Sequence, residues 1–438
     1  MNLKGTFWIG VIVVMLASLM ASFAKGADSA PKPVVLKAAH LFDSTSGKLE
    51  DHGVIVVVGK NIQAVGSDAK IPTEAQTIDL GDATLLPGFI DAHVHLEGES
   101  SDNWYLDFFQ EIFRFPAEQA LYAAHYARIT LEAGVTTVRD LGSTDYIALG
   151  LRNAVRAGMV SGPSMLVSNY PIGSTGGHAD QEPFPPQLVA PWGVIQGICN
   201  GADECRAAVR YQIKYGADVI KFMASGGVLS LTDPVDNVQL TQEEMNAIIS
   251  EAHAWNRKVA AHCHGDRAAK MAIAAGVDSI EHGSFLKDDT LAEMKIRHVY
   301  LVPTISAGYW KSKNLDQFPP AVAAKGRAAF AQIDQMVQHA VKIGVPIAMG
   351  TDAAVGPHGK NALEFWLLTK DGMTPAQALI AGTANGADLL GISEHTGTLR
   401  PGKVADIVAV PGNPLVDIEA TQRPVFVMKQ GVVYVGGK

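Results

Sequence analysis

The sequence predicts an α/β fold: a (β/α)8 TIM-like barrel with a small β-sandwich formed by both chain ends. Three observations predict it. Strand-like and helix-like segments alternate through the middle of the chain, as in parallel α/β folds. Eight strand candidates occur there, which is the content of a closed barrel. Both ends consist instead of short β-type runs separated by turn residues. The length of 438 residues suits a barrel with an accessory unit.

The first residues read as an export signal. Lys4 supplies a short positive region, residues 7–20 are almost wholly apolar, and the small residues Ala21, Ser22 and Ala24 follow. Residues 1–24 are therefore expected to be removed, leaving a periplasmic or secreted protein with no stable membrane anchor. An uncleaved anchor is the alternative, because the apolar run approaches the shortest length that spans a bilayer. No Cys near the cleavage site offers a place for a lipid.

Residues 34–84 carry runs such as Val54-Ile55-Val56-Val57-Val58, with Gly59-Lys60-Asn61 and Gly66-Ser67-Asp68 reading as hairpin turns. Residues 396–438 have the same texture, for example Val404-Ala405-Asp406-Ile407-Val408-Ala409-Val410. Isolated hairpins are unstable, so the two ends are expected to meet in one β unit.

Residues 85–395 form the expected barrel. Its strand candidates are 85–95, 135–140, 165–169, 218–223, 259–264, 279–282, 299–304 and 346–352. Thr241 and Glu244 make a capping box that opens a helix ending near Arg257. Thr374 followed by Pro375 opens an Ala-rich helix stopping near Gly391. A doubly wound open sheet is the alternative, but the strand count and the lack of a glycine-rich dinucleotide turn argue against it.

The composition is 47% hydrophobic and 18% charged, as in globular chains. A net charge of -9 without a basic stripe excludes nucleic acid as an expected partner. An exported chain could join Cys199 to Cys205 and leave Cys263 free.

Polar residues gather at the C-terminal ends of the strand candidates: His93 and His95, then Lys221, then His262 and His264, then Glu281 and His282, and finally Thr351 and Asp352. Barrel enzymes build their active sites at this end. Residues two apart in a strand share a face, so His93 and His95 point inward together, as do His262 and His264. Imidazole and carboxylate suit zinc and similar cations. Lys221 has two readings. An inward ammonium can pair with a carboxylate such as Asp352, or the amine can lose its proton and react with CO₂ to give a carbamate.

These motifs resemble the amidohydrolase superfamily. The run from Leu86 to His95 is similar to its strand-one signature, and that from Leu399 to Val408 to the return into its accessory sheet. Within it the chain is similar to the branch of imidazolonepropionases and prolidase-like dipeptidases. That branch includes exported enzymes cleaving Xaa-Pro, Xaa-Arg or Xaa-Lys dipeptides, N-acyl amino acids and ochratoxin-type amides. The resemblance implies a binuclear hydrolase with two divalent metal ions, zinc foremost, and often a large homo-oligomer. His93, His95 and Asp352 would bind one metal, and His262 and His282 the other. An N6-carboxylated Lys221 and a hydroxide would bridge them. Asp352 would move the proton and His264 would orient the substrate. A mononuclear cyclic-amide hydrolase or deaminase is the alternative reading, and a non-catalytic exported binding protein a more distant one.

Secondary candidates remain open between function and packing. His178, in the Gly-rich 173–180 loop, is either an oxyanion or substrate contact or a solvent-facing residue. Gln239 lies in a candidate lid over 231–240. Tyr309 is either a carboxylate-binding residue or a packed aromatic, and Arg139 either a substrate contact or a structural ion pair. His358 is a candidate for the specificity rim.

Overall fold

The computed structural model describes residues 32–101 and 103–437. The expected export signal and its cleavage site lie outside them. Among the described residues no helix is long and apolar enough to cross a membrane.

Five strands come first: β1 (Val34–Asp43), β2 (Lys48–Val58), β3 (Asn61–Val65), β4 (Gln76–Asp79) and β5 (Ala83–Pro87). The hairpin turn at Gly59–Asn61 joins β2 to β3, whereas the turn after β3 leads to β4, which pairs in parallel with β1. Barrel strands follow as β6 (Phe89–Val94), β7 (Val135–Asp140), β8 (Ser164–Val167), β9 (Val219–Met223), β10 (Lys258–Cys263), β11 (Ser279–His282) and β12 (Tyr300–Val302). The chain ends with β13 (Ile407–Pro411), β14 (Phe426–Lys429) and β15 (Val432–Val435).

Both chain ends enter one sheet, ordered β15-β14-β13-β5-β1-β2-β3. The antiparallel pair of β5 with β13 joins them, for example Leu85 opposite Ala409. The far end curls back, because Ile62 N donates to Lys403 O and Ala405 N to Lys60 O, each at 2.8 Å. The closed sheet wraps a core that includes Leu36, Ile55, Ile62, Leu85, Ile407 and Phe426. Each such side chain contributes about 1.5–3 kcal/mol on burial.

Parallel pairing runs β6-β7-β8 and β9-β10-β11-β12. The two arcs meet at the bridge of Ile172 with Phe222. Closure of the barrel differs from expectation. The eighth position, 346–352, is not a regular strand but is held by single bridges from Leu301 to Ile347 and from Val94 to Ala353. Its backbone also bonds Ala92 N to Met349 O and Asp352 N to His93 O, both at 2.8 Å. Pro346 removes one donor. Gly350 passes so close to β12 and β6 that a Cβ would stand 2.3 Å from Val302 Cγ1 and 3.0 Å from His93 Cβ.

The first strand candidate also divides. Residues 83–87 belong to the terminal sheet and 89–94 to the barrel. Pro87 has no N–H with which to continue a ladder, and the chain changes sheets immediately after it.

Thr241 caps the Gln242–Ala254 helix, its side chain accepting from Glu244 N while Glu244 accepts from Thr241 N at 2.7 Å. The Thr374 box opens Pro375–Ala381, and a second short helix, Ala384–Leu389, follows where one long helix was expected. Cys199 and Cys205 form a disulfide, and Cys263 is free and buried.

Candidate active site

The C-terminal strand ends surround a cavity of about 190 Å³. His93, His95, Lys221, His262, His264, His282 and Asp352 all line it, together with His178 from the loop after β8. The alternation of the strands brings the histidines together. Ring centroids of His93 and His95 lie 5.3 Å apart, and those of His262 and His264 lie 4.9 Å apart.

Each histidine has one ring nitrogen engaged away from the cavity centre. His93 Nδ1 meets Glu281 Oε2 at 2.9 Å, and His95 Nδ1 donates to Gly142 O at 2.9 Å. His262 Nε2 donates to Gly226 O at 3.1 Å. His282 Nδ1 pairs with Thr304 Oγ1 at 2.7 Å and His264 Nδ1 with Ser284 Oγ at 2.9 Å. Such outer bonds fix the ring and aim the remaining nitrogen inward, the arrangement that metal-binding imidazoles use.

The inward atoms converge. Asp352 Oδ1 lies 3.5 Å from His93 Nε2 and 3.3 Å from His95 Nε2, and Lys221 Nζ lies 3.4 Å from His93 Nε2. Two groups have ligand atoms all within 4.8 Å of one another: His93, His282 and Asp352, and His262, His264 and His282. His264 therefore belongs to the second group with His262 and His282, whereas the resemblance gave it a substrate-orienting role rather than a ligand's.

The electrostatics suit cations. Burial, then Lys221, lowers the His93 pKa to about 4. Burial, then His178, lowers His264 to about 3 and holds His262 well below the usual imidazole range. These rings are neutral at neutral pH, which is the ligating state. Burial alone would raise Asp352, but His93, His95 and Lys221 outweigh it and hold the carboxyl well below the usual range. Burial lowers Lys221 to about 8, so its amine form is accessible.

The backbone is strained here. His282 (φ +69°), Thr304 (φ +50°) and Asp352 (φ +54°) are left-handed non-glycine residues at strand ends of the site. Each costs about 1–2 kcal/mol, which the surrounding packing must offset.

Four candidates lie off the cavity wall. Arg139 is buried inside the barrel, donating to Glu281 Oε1 at 2.9 Å and Ala92 O at 2.6 Å, so it is a structural ion pair. Tyr309 faces away, with Lys313 Nζ 3.8 Å above its ring and Trp366 beside it. Gln239 acts behind His178, whose backbone N donates to its Oε1 at 2.9 Å. His358 stacks on Tyr126 and its Nε2 donates to Gly98 O at 2.8 Å.

Sequence reasoning missed two features. Asp91, two residues before His93, braces the barrel closure by accepting from Thr351 Oγ1 at 2.6 Å and Asn361 Nδ2 at 2.8 Å. The strand period that paired His93 with His95 also covers Asp91. The apolar wall, including Phe330 and Ile333, comes from the Pro320–Ile343 helix. Their i, i+3 spacing was the available signal.

Imidazoles, a carboxylate and a lysine at the strand ends of a barrel form a set that could hold a metal ion, at the end where barrel enzymes build their active sites. The amidohydrolase family model matches residues 84–436, and the chain belongs to that family. Ochratoxinase of Aspergillus niger is 34% identical over 405 residues, covering 88% of this chain and 82% of that protein. A solved Xaa-Pro dipeptidase with methionine in its active site is 37% identical, with a TM-score of 0.86, covering 92% of this chain and 100% of that one. Imidazolonepropionase of Pseudomonas savastanoi pv. phaseolicola is 26% identical over 412 residues, covering 85% of this chain and 91% of that protein. The protein is a hydrolase acting on carbon–nitrogen bonds.

Proposed function

We propose that this chain is a binuclear metal hydrolase cleaving the amide bond of dipeptides or N-acyl amino acids. The observation that carries the reading is the set of inward-turned nitrogens, each aimed by a bond to its other ring atom. His93, His95 and Asp352 would hold one cation and His262 and His282 a second. Lys221 would lie between them, its amine having added to the carbon of CO₂ and lost a proton. Divalent cations bound there would lower the pKa of a water and polarise a substrate carbonyl. Asp352 receives the proton of the attacking water and delivers it to the departing amine. His264 borders the same space and orients the carbonyl oxygen.

The rest of the wall supports an apolar substrate side chain. Met223, Val228, Leu229, Phe330 and Ile333 line it, and among the described residues no acidic one other than Asp352 does so. An Xaa-Arg or Xaa-Lys substrate would leave its cation facing this wall, so we favour apolar or aromatic residues. The Cys199–Cys205 disulfide supports placing the protein outside the cytoplasm.

Purified protein should carry two equivalents of zinc or a similar metal and release free amino acids from such substrates. Full activity with less than one equivalent would rule out the binuclear form. The second reading, a one-metal cyclic-amide hydrolase or deaminase, draws on the His262, His264 and His282 group, which is complete without Lys221. Ammonia or a ring-opened acid as product would select it.

A further inference from the structure

His178 is held by a chain of contacts that neither the metal-ligand set nor the proton transfer uses. Its Nδ1 lies 3.1 Å from Ser230 Oγ. The Ser230 hydroxyl has one proton and two acceptors for it: Asp233 Oδ1, in a short hydrogen bond, and Gly227 O at 3.3 Å. Both are oxygens that only accept, since Asp233 is ionised, its pKa lowered because hydrogen bonding from Ser230 and the charges around it outweigh burial. The lone pairs of Ser230 Oγ are therefore left for donors, namely His178 Nδ1–H and Lys325 Nζ, the latter at 3.4 Å.

The same carboxylate gathers the rest of the mount. Asp233 Oδ2 accepts from Gly227 N at 2.9 Å and from Gln239 Nε2 at 2.8 Å. Gln239 in turn accepts from the His178 backbone. Gly227 lies against the imidazole, where a Cβ would stand 2.0 Å from Cε1. Lys325 ties the whole 227–233 turn to the Pro320–Ile343 helix by donating to Gly227 O, Ser230 O and Asp233 O at 2.7, 2.6 and 2.9 Å. His178 Nε2 has no protein partner among the described residues, and the ring borders the cavity beside His262, 4.4 Å away between centroids.

We propose that Ser230 and Asp233 are positioning residues that hold His178 in its Nδ1–H tautomer. The neutral ring then presents a bare Nε2 to the cavity, an acceptor for a substrate N–H or ammonium group rather than a donor to a carbonyl oxygen. The Nδ1 proton follows from the contacts, and the assignment of Nε2 to a substrate donor rests on the amide-hydrolase reading.

Two measurements test it on the metal-loaded protein. In ¹⁵N-histidine-labelled protein, the resonances lost in His178→Gln should show a protonated Nδ1 and a bare Nε2. That pattern should persist in Ser230→Thr and be lost in Ser230→Ala; a protonated Nε2 in the unsubstituted protein overturns the proposal. In hydrolysis, Ser230→Ala should lower kcat/KM about tenfold, the scale of losing an orienting partner. It should add nothing further in a His178→Gln background, and an equal loss in both backgrounds overturns the proposal. If the unsubstituted protein cleaves no amide, the functional reading fails, and the tautomer measurement still decides the positioning role.

Discussion

Glu281 accepts from His93 through one carboxylate oxygen and from Arg139 through the other, each at 2.9 Å, with all three side chains almost wholly buried. Burial alone would raise the Glu281 pKa, yet Arg139 and His93 bring it down to about 2. One carboxylate thus neutralises a cation inside the barrel and aims an imidazole into the cavity. Glu281→Ala should cost about 3–5 kcal/mol of unfolding free energy in denaturant titration, because Arg139 keeps a buried and uncompensated charge. It should also weaken metal binding, since His93 loses its orienting acceptor.

In the proposed reading, Lys221 is the residue that would separate two-metal from one-metal chemistry. Lys221→Ala should abolish hydrolysis and lower the bound metal below two equivalents by elemental analysis. Short carboxylic acids should restore part of the activity by entering the vacated space. Undiminished activity in Lys221→Ala would favour the one-metal reading.

What the sequence made legible follows from how local each signal is. The bounds of 135–140 and 279–282 were readable because turn-forming glycines flank them, Gly134 and Gly142 around the first and Gly276 and Gly283 around the second. The eighth barrel position was not, because its irregularity comes from Gly350 threading between Val302 and His93, a contact across the fold. The inward direction of His93, His95, His262 and His264 follows from the two-residue period of a strand. Tyr309 obeys no such rule. It lies on the Ile305–Lys311 helix, whose phase relative to the cavity depends on packing against Trp366 and its neighbours. Arg139 shared a strand end with the active-site residues, but whether it met substrate or Glu281 was decided by β11, far away in sequence.

Asp406, in the segment entering β13, gives a pH prediction away from the candidate metal site. Burial raises its pKa to about 6, against hydrogen bonding from Gln430 N at 2.8 Å. The folded state therefore holds this proton more tightly than the unfolded state does. The stabilisation is complete below about pH 4, the unfolded value, and is lost as pH rises through about 6. Asp406→Asn has no such dependence. Between pH 4 and 7 the protein should lose up to about 3 kcal/mol relative to that variant. Thermal unfolding of both across that range measures the difference, and parallel curves would contradict the assignment.

Phe330 and Gly308 set the width of the apolar wall. A Cβ on Gly308 would stand 3.0 Å from Phe330 Cδ1, so the bare backbone lets the ring pack against it. Phe330→Ala removes a contact worth about 1.5–3 kcal/mol for an apolar side chain seated there. That contact is made in the bound substrate and in the transition state alike, so KM should rise about tenfold or more while kcat changes little. Gly308→Val should push the ring inward and penalise large substrates more than small ones. Both effects are read from kcat and KM for substrates graded in side-chain size. A kcat loss of similar size for every substrate would show that these residues support the catalytic residues rather than select the side chain.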